Sequence, residues 1–265
     1  MTRVKLIPRI AIPMPHSNDR EYAERAIPQY ERAVALAGGE PVRIPLDGPL
    51  AEAKKLIAGC DAVLLPGSKA DVDPARFAQE RSPHTAATDT LREQIDNALL
   101  DDAYARRKPL LGICYGLQSL NVYRKGSLVQ HIPDFLPEEM RAKVNHEAGR
   151  KVAIAHAVEI DSNSNLAAVL GSESQGPRSK VQGPLVVPVN SSHHQSAEVI
   201  GEGLRIAARC TEDGIIEALE GTSPDHFVVA VQWHPERSVD DDQASRAIFR
   251  ALIEHASIQA TSRRA

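Results

Sequence analysis

The sequence predicts an α/β fold with a mostly parallel central sheet, flanking helices and additional strands in the C-terminal half. Short apolar runs alternate with helical patterns through the first half of the chain. Strands and helices alternating at this spacing imply βαβ units, which place their strands parallel in one sheet. In the second half, candidate strands follow one another with turn signals between them, as at Glu212-Asp213-Gly214.

The elements of the first half follow from hydrophobic spacing. Apolar residues recur at helical intervals from Glu21 to Ala37, and Gly38-Gly39 then signals a helix end. Two more helices are predicted over residues 51–58 and 88–105. The predicted strands of this half are Ile7–Pro13, Pro41–Pro45, Ala62–Leu65 and Leu110–Ile113.

The second half is predicted to be rich in strands and to close with a helix over residues 240–257. Residues 175–183 are rich in Gly, Pro, Ser and Lys and are predicted to form a loop. Because the chain shows no repeat and no clear linker, residues 1–265 are predicted to form one domain. The predicted strands are Lys151–Ile160, Leu185–Asn190, Leu204–Cys210, Ile215–Glu220 and Phe227–Trp233.

Composition excludes several classes of function. Basic residues number 31 and acidic residues 35, a net charge of −4 that argues against a nucleic-acid partner. No apolar run approaches the roughly 20 residues that span a bilayer, so no membrane association is expected. Pro8, Arg9 and Pro13 interrupt the N-terminal apolar stretch, which is unlike a signal peptide. Three cysteines form an odd, sparse set that fits a reducing compartment, and a cytoplasmic protein is predicted.

The segment Gly112-Ile113-Cys114-Tyr115-Gly116 has the features of a nucleophile elbow. It follows an apolar strand and precedes a helical pattern, with Cys in place of the usual Ser. The turn would expose Cys114 at the sheet edge, and the helix N-terminus would favour its thiolate. The N–H of Tyr115 could then face a developing oxyanion. The alternative is a buried structural cysteine, which is the role predicted for Cys60 and Cys210.

A base for this nucleophile is predicted at Gln232-Trp233-His234-Pro235-Glu236, directly after the last strand. In extended backbone, residues two apart point the same way, so His234 and Glu236 can face one site. Glu236 could accept one imidazole N–H and leave the other nitrogen for Cys114. The alternative is a solvated His-Pro turn with a surface glutamate.

Adjacent histidines occur in Asn190-Ser191-Ser192-His193-His194-Gln195. No CxxC or HExxH motif accompanies them, and adjacent residues on a strand point apart, so no metal site is predicted. The segment is predicted to be a polar loop that faces the substrate, with a plain surface loop as the alternative.

Several motifs together resemble those of the class I glutamine amidotransferase-like superfamily. They are similar to those of its branch of gamma-glutamyl-gamma-aminobutyrate hydrolases, grouped as peptidase C26. The resemblance covers essentially the whole chain and implies a flavodoxin-like fold. The motifs are AVALAGGEPVRIPL at 33–46, PGSKADVDP at 66–74, GICYGLQSLNV at 112–122, VNSSHHQS at 189–196, DGIIEALE at 213–220 and VQWHPE at 231–236.

The resemblance implies a Cys114–His234–Glu236 triad and an oxyanion hole formed by the backbone N–H groups of Gly67 and Tyr115. It implies hydrolysis of a gamma-glutamyl amide, such as gamma-glutamyl-GABA, through a thioester, with no cofactor and no metal. The resemblance also implies a small-molecule substrate and leaves homodimerisation open. Substrate contacts are expected at Ser68, Gln118, Ser191, Ser192 and His193.

One departure from the family pattern follows the elbow helix. Tyr123-Arg124-Lys125-Gly126 stands where relatives commonly have small residues, and its bulk and charge are expected to bear on substrate identity. Two other functions stay open: a glutaminase subunit that delivers ammonia to a separate synthase, and a catalytically silent binding protein. The first is less favoured because 265 residues leave no room for a synthase domain.

Overall fold

The computed structural model describes residues 6–174 and 184–264. The loop predicted over residues 175–183 lies outside these ranges. The strands are Arg9–Pro13 (β1), Glu40–Ile44 (β2), Ala62–Leu65 (β3), Leu110–Ile113 (β4), Leu128–Val129 (β5), His156–Ile160 (β6), Leu185–Val189 (β7), Ser196–Ala197 (β8), Leu204–Cys210 (β9), Ile216–Gly221 (β10) and Val228–Val231 (β11). The helices are Arg20–Leu36 (α1), Leu50–Ala58 (α2), Thr90–Arg106 (α3), Tyr115–Tyr123 (α4), Ile132–Phe135 (α5), Glu138–Arg141 (α6), Asn165–Ser174 (α7) and Gln243–Arg264 (α8).

A nine-stranded sheet in the order β2-β1-β3-β4-β11-β10-β9-β6-β7 organises the molecule. The pairs from β2 through β11 are parallel, and the pairs from β11 through β7 are antiparallel. This confirms the predicted fold class, including the additional strands of the C-terminal half. Strands β5 and β8 form a separate antiparallel pair.

The sheet is buried on both faces by helices. Along β1 and β3, Ile12 and Leu64 pack in one apolar cluster with residues of α1 and α8. Their neighbours Ala11 and Val63 pack in a second cluster with residues of α2 and α3. Because successive strand residues point to opposite faces, strands buried on both sides are apolar at every position, as these short runs are.

The boundaries differ from the sequence predictions mainly in the second half. The strand predicted from residue 151 begins only at His156, because Gly149–Lys151 form a 3-10 turn. Helix α7 was not anticipated. Helix α8 begins later than predicted because Asp242 caps it, accepting a hydrogen bond from the Ser245 N–H at 2.8 Å.

Helix α8 is 22 residues long and carries Arg246, Arg250 and Glu254 along its length. Within residues 6–174 and 184–264, no helix combines the length and the apolar character that crossing a membrane requires. The cytoplasmic location stays a prediction.

Gly116 lies where the first turn of α4 crosses β3, and the approach leaves no room for a side chain. A Cβ atom there would lie 2.2 Å from the carbonyl oxygen of Leu65, which is part of β3. We expect Gly116→Ala to lower the free energy of unfolding by about 3 kcal/mol, the upper end for overpacking. Chemical denaturation measures this change.

The matched control is Gly171→Ala, because a Cβ at that position in α7 would meet no atom within 4 Å. We expect it to raise stability by about 0.5–1 kcal/mol, the usual gain for Ala over Gly inside a helix. Equal stabilities for the two variants would contradict the close approach of α4 to β3.

Candidate functional site

Three neighbouring strands bring the predicted catalytic residues to one edge of the sheet. Strand β4 pairs in parallel with β3 on one side and with β11 on the other. Gly67, Cys114 and His234 follow the carboxyl ends of these strands. A Cβ atom on Gly67 would lie 3.1 Å from Cε1 of His234 and 3.6 Å from Cβ of Cys114. The Cys114 and His234 side chains therefore both lie close to Gly67, near enough to contact a Cβ atom placed there.

Cys114 has the backbone geometry of a nucleophile elbow. Its φ is 52° and its ψ is −107°, a positive φ that is strained for a residue with a Cβ. The Cys114 N–H donates to the carbonyl of Val231 at 2.8 Å, which holds the turn against β11. Helix α4 begins at Tyr115, and the backbone N–H of Tyr115 acts to lower the pKa of the Cys114 thiol.

The resting form of Cys114 is a neutral thiol. The residue is 6% exposed, and burial raises the pKa of Cys114 to about 12. Arg237 and the Tyr115 N–H act in the opposite direction but do not outweigh burial. The N–H at the start of the helix acts in the predicted direction, toward the thiolate, but burial outweighs it.

His234 and Glu236 form a buried hydrogen-bonded pair. Nδ1 of His234 lies 2.8 Å from Oε1 of Glu236, and each residue is 4% exposed. Burial lowers the pKa of His234 below its ordinary value, although the carboxylate opposes this shift, so the imidazole is neutral near pH 7. Burial raises the pKa of Glu236, but His234 and Arg237 outweigh it, and the group stays ionised. This burial rules out a solvated turn.

The second nitrogen of His234 is left for chemistry. Because Nδ1 faces a carboxylate, that nitrogen carries the proton and Nε2 carries the lone pair. Nε2 is buried and has no hydrogen-bond partner among the described residues. A neutral imidazole with a free Nε2 can accept a proton from a nearby thiol.

Asn190 clamps the backbone of His234 from the end of β7. Its Nδ2 donates to the His234 carbonyl and its Oδ1 accepts from the His234 N–H, each at 2.8 Å. Sequence reasoning assigned Asn190 no role. Asn190 directly follows a strand and opens a polar segment, and this position is the sequence feature that could have indicated a role at the site.

Gly67 is engaged differently from the sequence expectation. Its N–H donates to the hydroxyl oxygen of Tyr30 at 3.1 Å. Tyr30 is buried in α1, and burial raises its pKa well above the ordinary value, so the hydroxyl stays neutral. For the Gly67 N–H to bind an oxyanion, Tyr30 would have to give way.

Cys114 and His234 open into a cleft of about 560 Å³. A larger cavity of about 800 Å³ lies along β6 and β9. We place the chemistry in the smaller cleft because it contains both the thiol and the imidazole. The cleft is also lined by four of the predicted substrate contacts, Ser68, Gln118, Ser192 and His193.

Two of these contacts are held in place by protein groups. The Gln118 amide nitrogen lies 3.2 Å from the Gln195 carbonyl and 3.3 Å from Oε1 of Gln232. Oγ of Ser68 accepts from the Ala70 N–H at 3.1 Å. Both side chains therefore border the cleft in fixed orientations.

Ser191 and His193 are turned away from the expected role. Ser191 is fully buried and donates to the carbonyl of His146 at 2.7 Å, so it anchors the loop rather than facing substrate. His193 borders the cleft, but its Nε2 lies 3.4 Å from the Glu217 carboxylate. Ser192, half-buried between them, lines the cleft.

The cleft has a basic lining. Asp71 supplies negative charge, and five cationic side chains line the same space. Three of them pair with carboxylates of Glu21, Asp19 and Glu236, which leaves Arg150 and Lys151 as the two outside any ion pair among the described residues. A surplus of positive charge around a cleft raises the local concentration of anionic ligands. The cationic residues are Arg25, Lys69, Arg150, Lys151 and Arg237.

The bulky segment after the elbow helix binds the protein elsewhere. The Tyr123 hydroxyl donates to Asp101 at 2.8 Å, and Nε of Arg124 donates to the Glu202 carbonyl at 2.7 Å. None of the residues 123–126 is among those that line the cleft. The segment therefore does not line this cleft, and its effect on substrate identity stays a prediction.

A cysteine elbow at the carboxyl edge of a parallel sheet, with a His–Glu pair after the neighbouring strand, defines a glutamine amidotransferase-like α/β protein. The chain belongs to the peptidase C26 family, whose model matches residues 8–236. It is 30% identical over 253 residues to the gamma-glutamyl-gamma-aminobutyrate hydrolase of Escherichia coli K12, covering 93% of this chain and 92% of that protein.

Another relative is a Mycobacterium tuberculosis protein that its name assigns provisionally to the glutamine amidotransferases. It is 36% identical over 228 residues, which are 86% of this chain and 66% of that protein. Among solved structures, a Thermoplasma acidophilum protein that is provisionally assigned to GMP synthase, as one of its subunits, has a TM-score of 0.62. It is 16% identical and the match covers 98% of this chain and 99% of that one. This structural likeness supports the fold alone.

The protonation of Cys114 predicts an alkylation profile. Iodoacetamide should label Cys114 before Cys60 and Cys210, because Cys114 is 6% exposed whereas Cys60 is 0% and Cys210 is 2% exposed. With the pKa of Cys114 raised to about 12, its rate should keep climbing with pH beyond about 9. Peptide mass spectrometry measures each thiol separately. A rate that levels off near neutral pH would show a preformed thiolate–imidazolium pair and contradict this assignment.

Proposed function

We propose that this protein is a cysteine-dependent hydrolase that cleaves gamma-glutamyl amides to glutamate and an amine. The observation that carries the proposal is the arrangement at the sheet edge. Cys114 and a neutral His234, itself paired with Glu236 at 2.8 Å, border one cleft. Membership in the peptidase C26 family and the 30% identity to a gamma-glutamyl-gamma-aminobutyrate hydrolase support the same chemistry.

In the first half-reaction, the sulfur of Cys114 bonds to the carbonyl carbon of the amide while its proton passes to Nε2 of His234. Glu236 stays ionised and stabilises the resulting imidazolium. The carbonyl oxygen becomes an oxyanion next to the N–H of Tyr115. The imidazolium then gives its proton to the amide nitrogen, the C–N bond breaks, and the amine departs from a thioester.

In the second half-reaction, water attacks the thioester carbon. His234 takes a proton from the water, and the C–S bond breaks. The proton returns to the sulfur, which releases glutamate and regenerates the neutral thiol. All four proton transfers use Nε2, so the bond from Nδ1 to Glu236 can be kept throughout.

The basic lining supports a substrate whose amine portion carries its own carboxylate. Gamma-glutamyl-GABA has two carboxylates and one ammonium group, whereas glutamine has one of each. The five cationic residues at the cleft therefore favour the former. The name of the Escherichia coli relative agrees with this choice.

A second candidate is a glutaminase that serves a separate synthase. The observation that favours it is the Mycobacterium tuberculosis relative, at 36% identity, whose name places it among the glutamine amidotransferases. Such a protein would release glutamate from glutamine preferentially and would respond to its synthase.

A panel of gamma-glutamyl amides, with glutamine included, tests the choice of substrate. We expect gamma-glutamyl-GABA to exceed both glutamine and an amide whose amine lacks a carboxylate by at least about tenfold in kcat/KM. Glutamate release is the measurement. Activity on glutamine alone would favour the second candidate, and no turnover of any amide would favour a binding protein.

Variants locate the chemistry and the charge. Cys114→Ser should lower kcat by about a thousandfold or more, whereas Cys60→Ala should keep it. Removing two cleft charges with Arg150→Gln and Lys151→Gln together should raise KM for gamma-glutamyl-GABA by roughly twofold to tenfold. The matched control is Lys54→Gln on the exposed face of α2. Unchanged activity in Cys114→Ser would rule out the proposal.

A further inference from the structure

Three histidines converge on one carboxylate in the interior of the second half of the chain. Oε1 of Glu217 lies 3.2 Å from Nδ1 of His146, 3.4 Å from Nε2 of His156 and 3.4 Å from Nε2 of His193. Glu217 is fully buried, and the histidines are 4–6% exposed. None of these four atoms has a hydrogen-bond partner among the described residues. Two strands, β6 with His156 and β10 with Glu217, therefore meet two loops, which carry His146 and His193.

The other nitrogen of each histidine faces an acceptor. Nε2 of His146 lies 2.8 Å from Asp213, Nδ1 of His193 lies 3.0 Å from the Gln195 carbonyl, and Nδ1 of His156 lies 3.4 Å from the Ala157 carbonyl. In the tautomer that donates its N–H to this acceptor, the other nitrogen of a neutral imidazole keeps a lone pair toward Glu217, whereas the reverse tautomer would donate to Glu217 instead. Histidines that bind metals are held in this way, with their second N–H donated to a carboxylate or a carbonyl.

These tautomers aim lone pairs at one another. Each of the three remaining nitrogens is left with a lone pair that faces the carboxylate oxygen of Glu217 at 3.2–3.4 Å. Buried lone pairs that converge at this distance repel unless a cation lies between them. The cation can be a metal ion or added protons.

The spacing favours a metal. A tetrahedral ion with bonds of about 2.0–2.1 Å to its ligands has neighbouring ligand atoms about 3.3–3.4 Å apart. The three measured separations from Glu217 lie at this edge length, and all four ligand atoms lie within 4.8 Å of one another. Glu217 sits at an irregularity in the pairing of β10 with β9, and such bulges re-aim side chains.

We infer that His146, His156, His193 and Glu217 form a buried structural Zn²⁺ site. Three imidazoles and one carboxylate are ligands that zinc accepts in tetrahedral geometry. The charges balance, because Zn²⁺ is offset by the carboxylates of Glu217 and Asp213. With four protein ligands the site is closed, so the ion ties the loop that carries His193 to β6 and β10 and takes no part in turnover. The sequence predicted no metal here because His193 and His194 point apart; His194 does bind elsewhere, at Asp71.

The competing arrangement holds protons only. Burial opposes a charge on His146, but Asp213 and Glu217 outweigh it and raise the pKa of His146 to about 9. A protonated His146 between the two carboxylates would then stand in place of the ion. Metal analysis distinguishes the two arrangements.

The experiment is elemental analysis of the full chain, purified without a metal-chelating tag and reconstituted with Zn²⁺ before exhaustive dialysis. We expect about one zinc per chain in the wild type, and about a tenth of that or less in Glu217→Gln. Asp213→Asn should weaken zinc affinity about 10-fold to 100-fold, as loss of a histidine's hydrogen-bond partner does. The Co²⁺-substituted protein should show the intense visible bands of tetrahedral coordination.

Two controls separate this site from other histidines and from the thiol. His226→Gln alters a buried histidine that bonds the Lys108 carbonyl, and it should keep the zinc. Cys114→Ser should also keep it, which excludes binding at the nucleophile. Should Glu217→Gln fail to fold, chelation of the wild type should lower its thermal midpoint, and Zn²⁺ but not Mg²⁺ should restore it. The assignment would be overturned if the wild type contained no metal and its thermal midpoint changed with neither chelator nor Zn²⁺.

Discussion

The parallel pairing of β4 with both β3 and β11 is the constraint on which the site depends. Each of the three strands ends in a turn at the same edge, so residues far apart in sequence become neighbours without any long loop to position them. The strands and the helix that follows β4 pack too closely for side chains at two of the elbow positions. Gly112 has the Gly116 carbonyl carbon 3.0 Å from where its Cβ would lie, and Gly116 itself fits only as glycine against β3. The elbow can hold Cys114 at φ 52° because the strands on both sides hold it there.

Burial then sets the protonation of the site. The same exclusion of water that keeps Cys114 a thiol keeps His234 neutral. A neutral pair avoids the cost of placing a thiolate and an imidazolium in a buried site before substrate arrives. In the proposed reaction, charge would appear only when the sulfur bonds to carbon, with Glu236 already ionised beside the imidazole. Burial thus favours a base that acts during attack over a preformed ion pair.

The sequence was sufficient wherever the signal is local. Short apolar strands and the glycines of the elbow each predict their own geometry. His234 and Glu236 do meet at 2.8 Å, but a 3-10 turn over Pro235–Arg237 brings them together, and the extended backbone assumed for the i, i+2 spacing is wrong. What else the sequence missed depends on contacts across the fold. Tyr30 lies on the apolar face that the sequence predicts for α1, yet its hydroxyl accepts a hydrogen bond from the N–H of Gly67, 37 positions away. The sequence anticipates the influence of the helix N-terminus on Cys114 but not the burial that outweighs it and raises the pKa of the thiol. The histidine cluster combines residues from 146 to 217 with no spacing motif.

The segment from Asn190 to Gln195 connects the catalytic edge with that cluster. At one end Asn190 holds the backbone of His234. At the other, the Gln195 carbonyl receives both the Gln118 amide and His193 Nδ1. Nδ1 of His193 lies at the Gln195 carbonyl and its Nε2 faces the Glu217 carboxylate at 3.4 Å, whereas Nε2 of His234 faces no carboxylate within ion-pair distance among the described residues. Of these two histidines at the cleft, His234 is therefore the one whose second nitrogen is available for the proposed proton transfers. Any cation held at Glu217 would deepen the contrast by fixing the loop whose first residue orients the base.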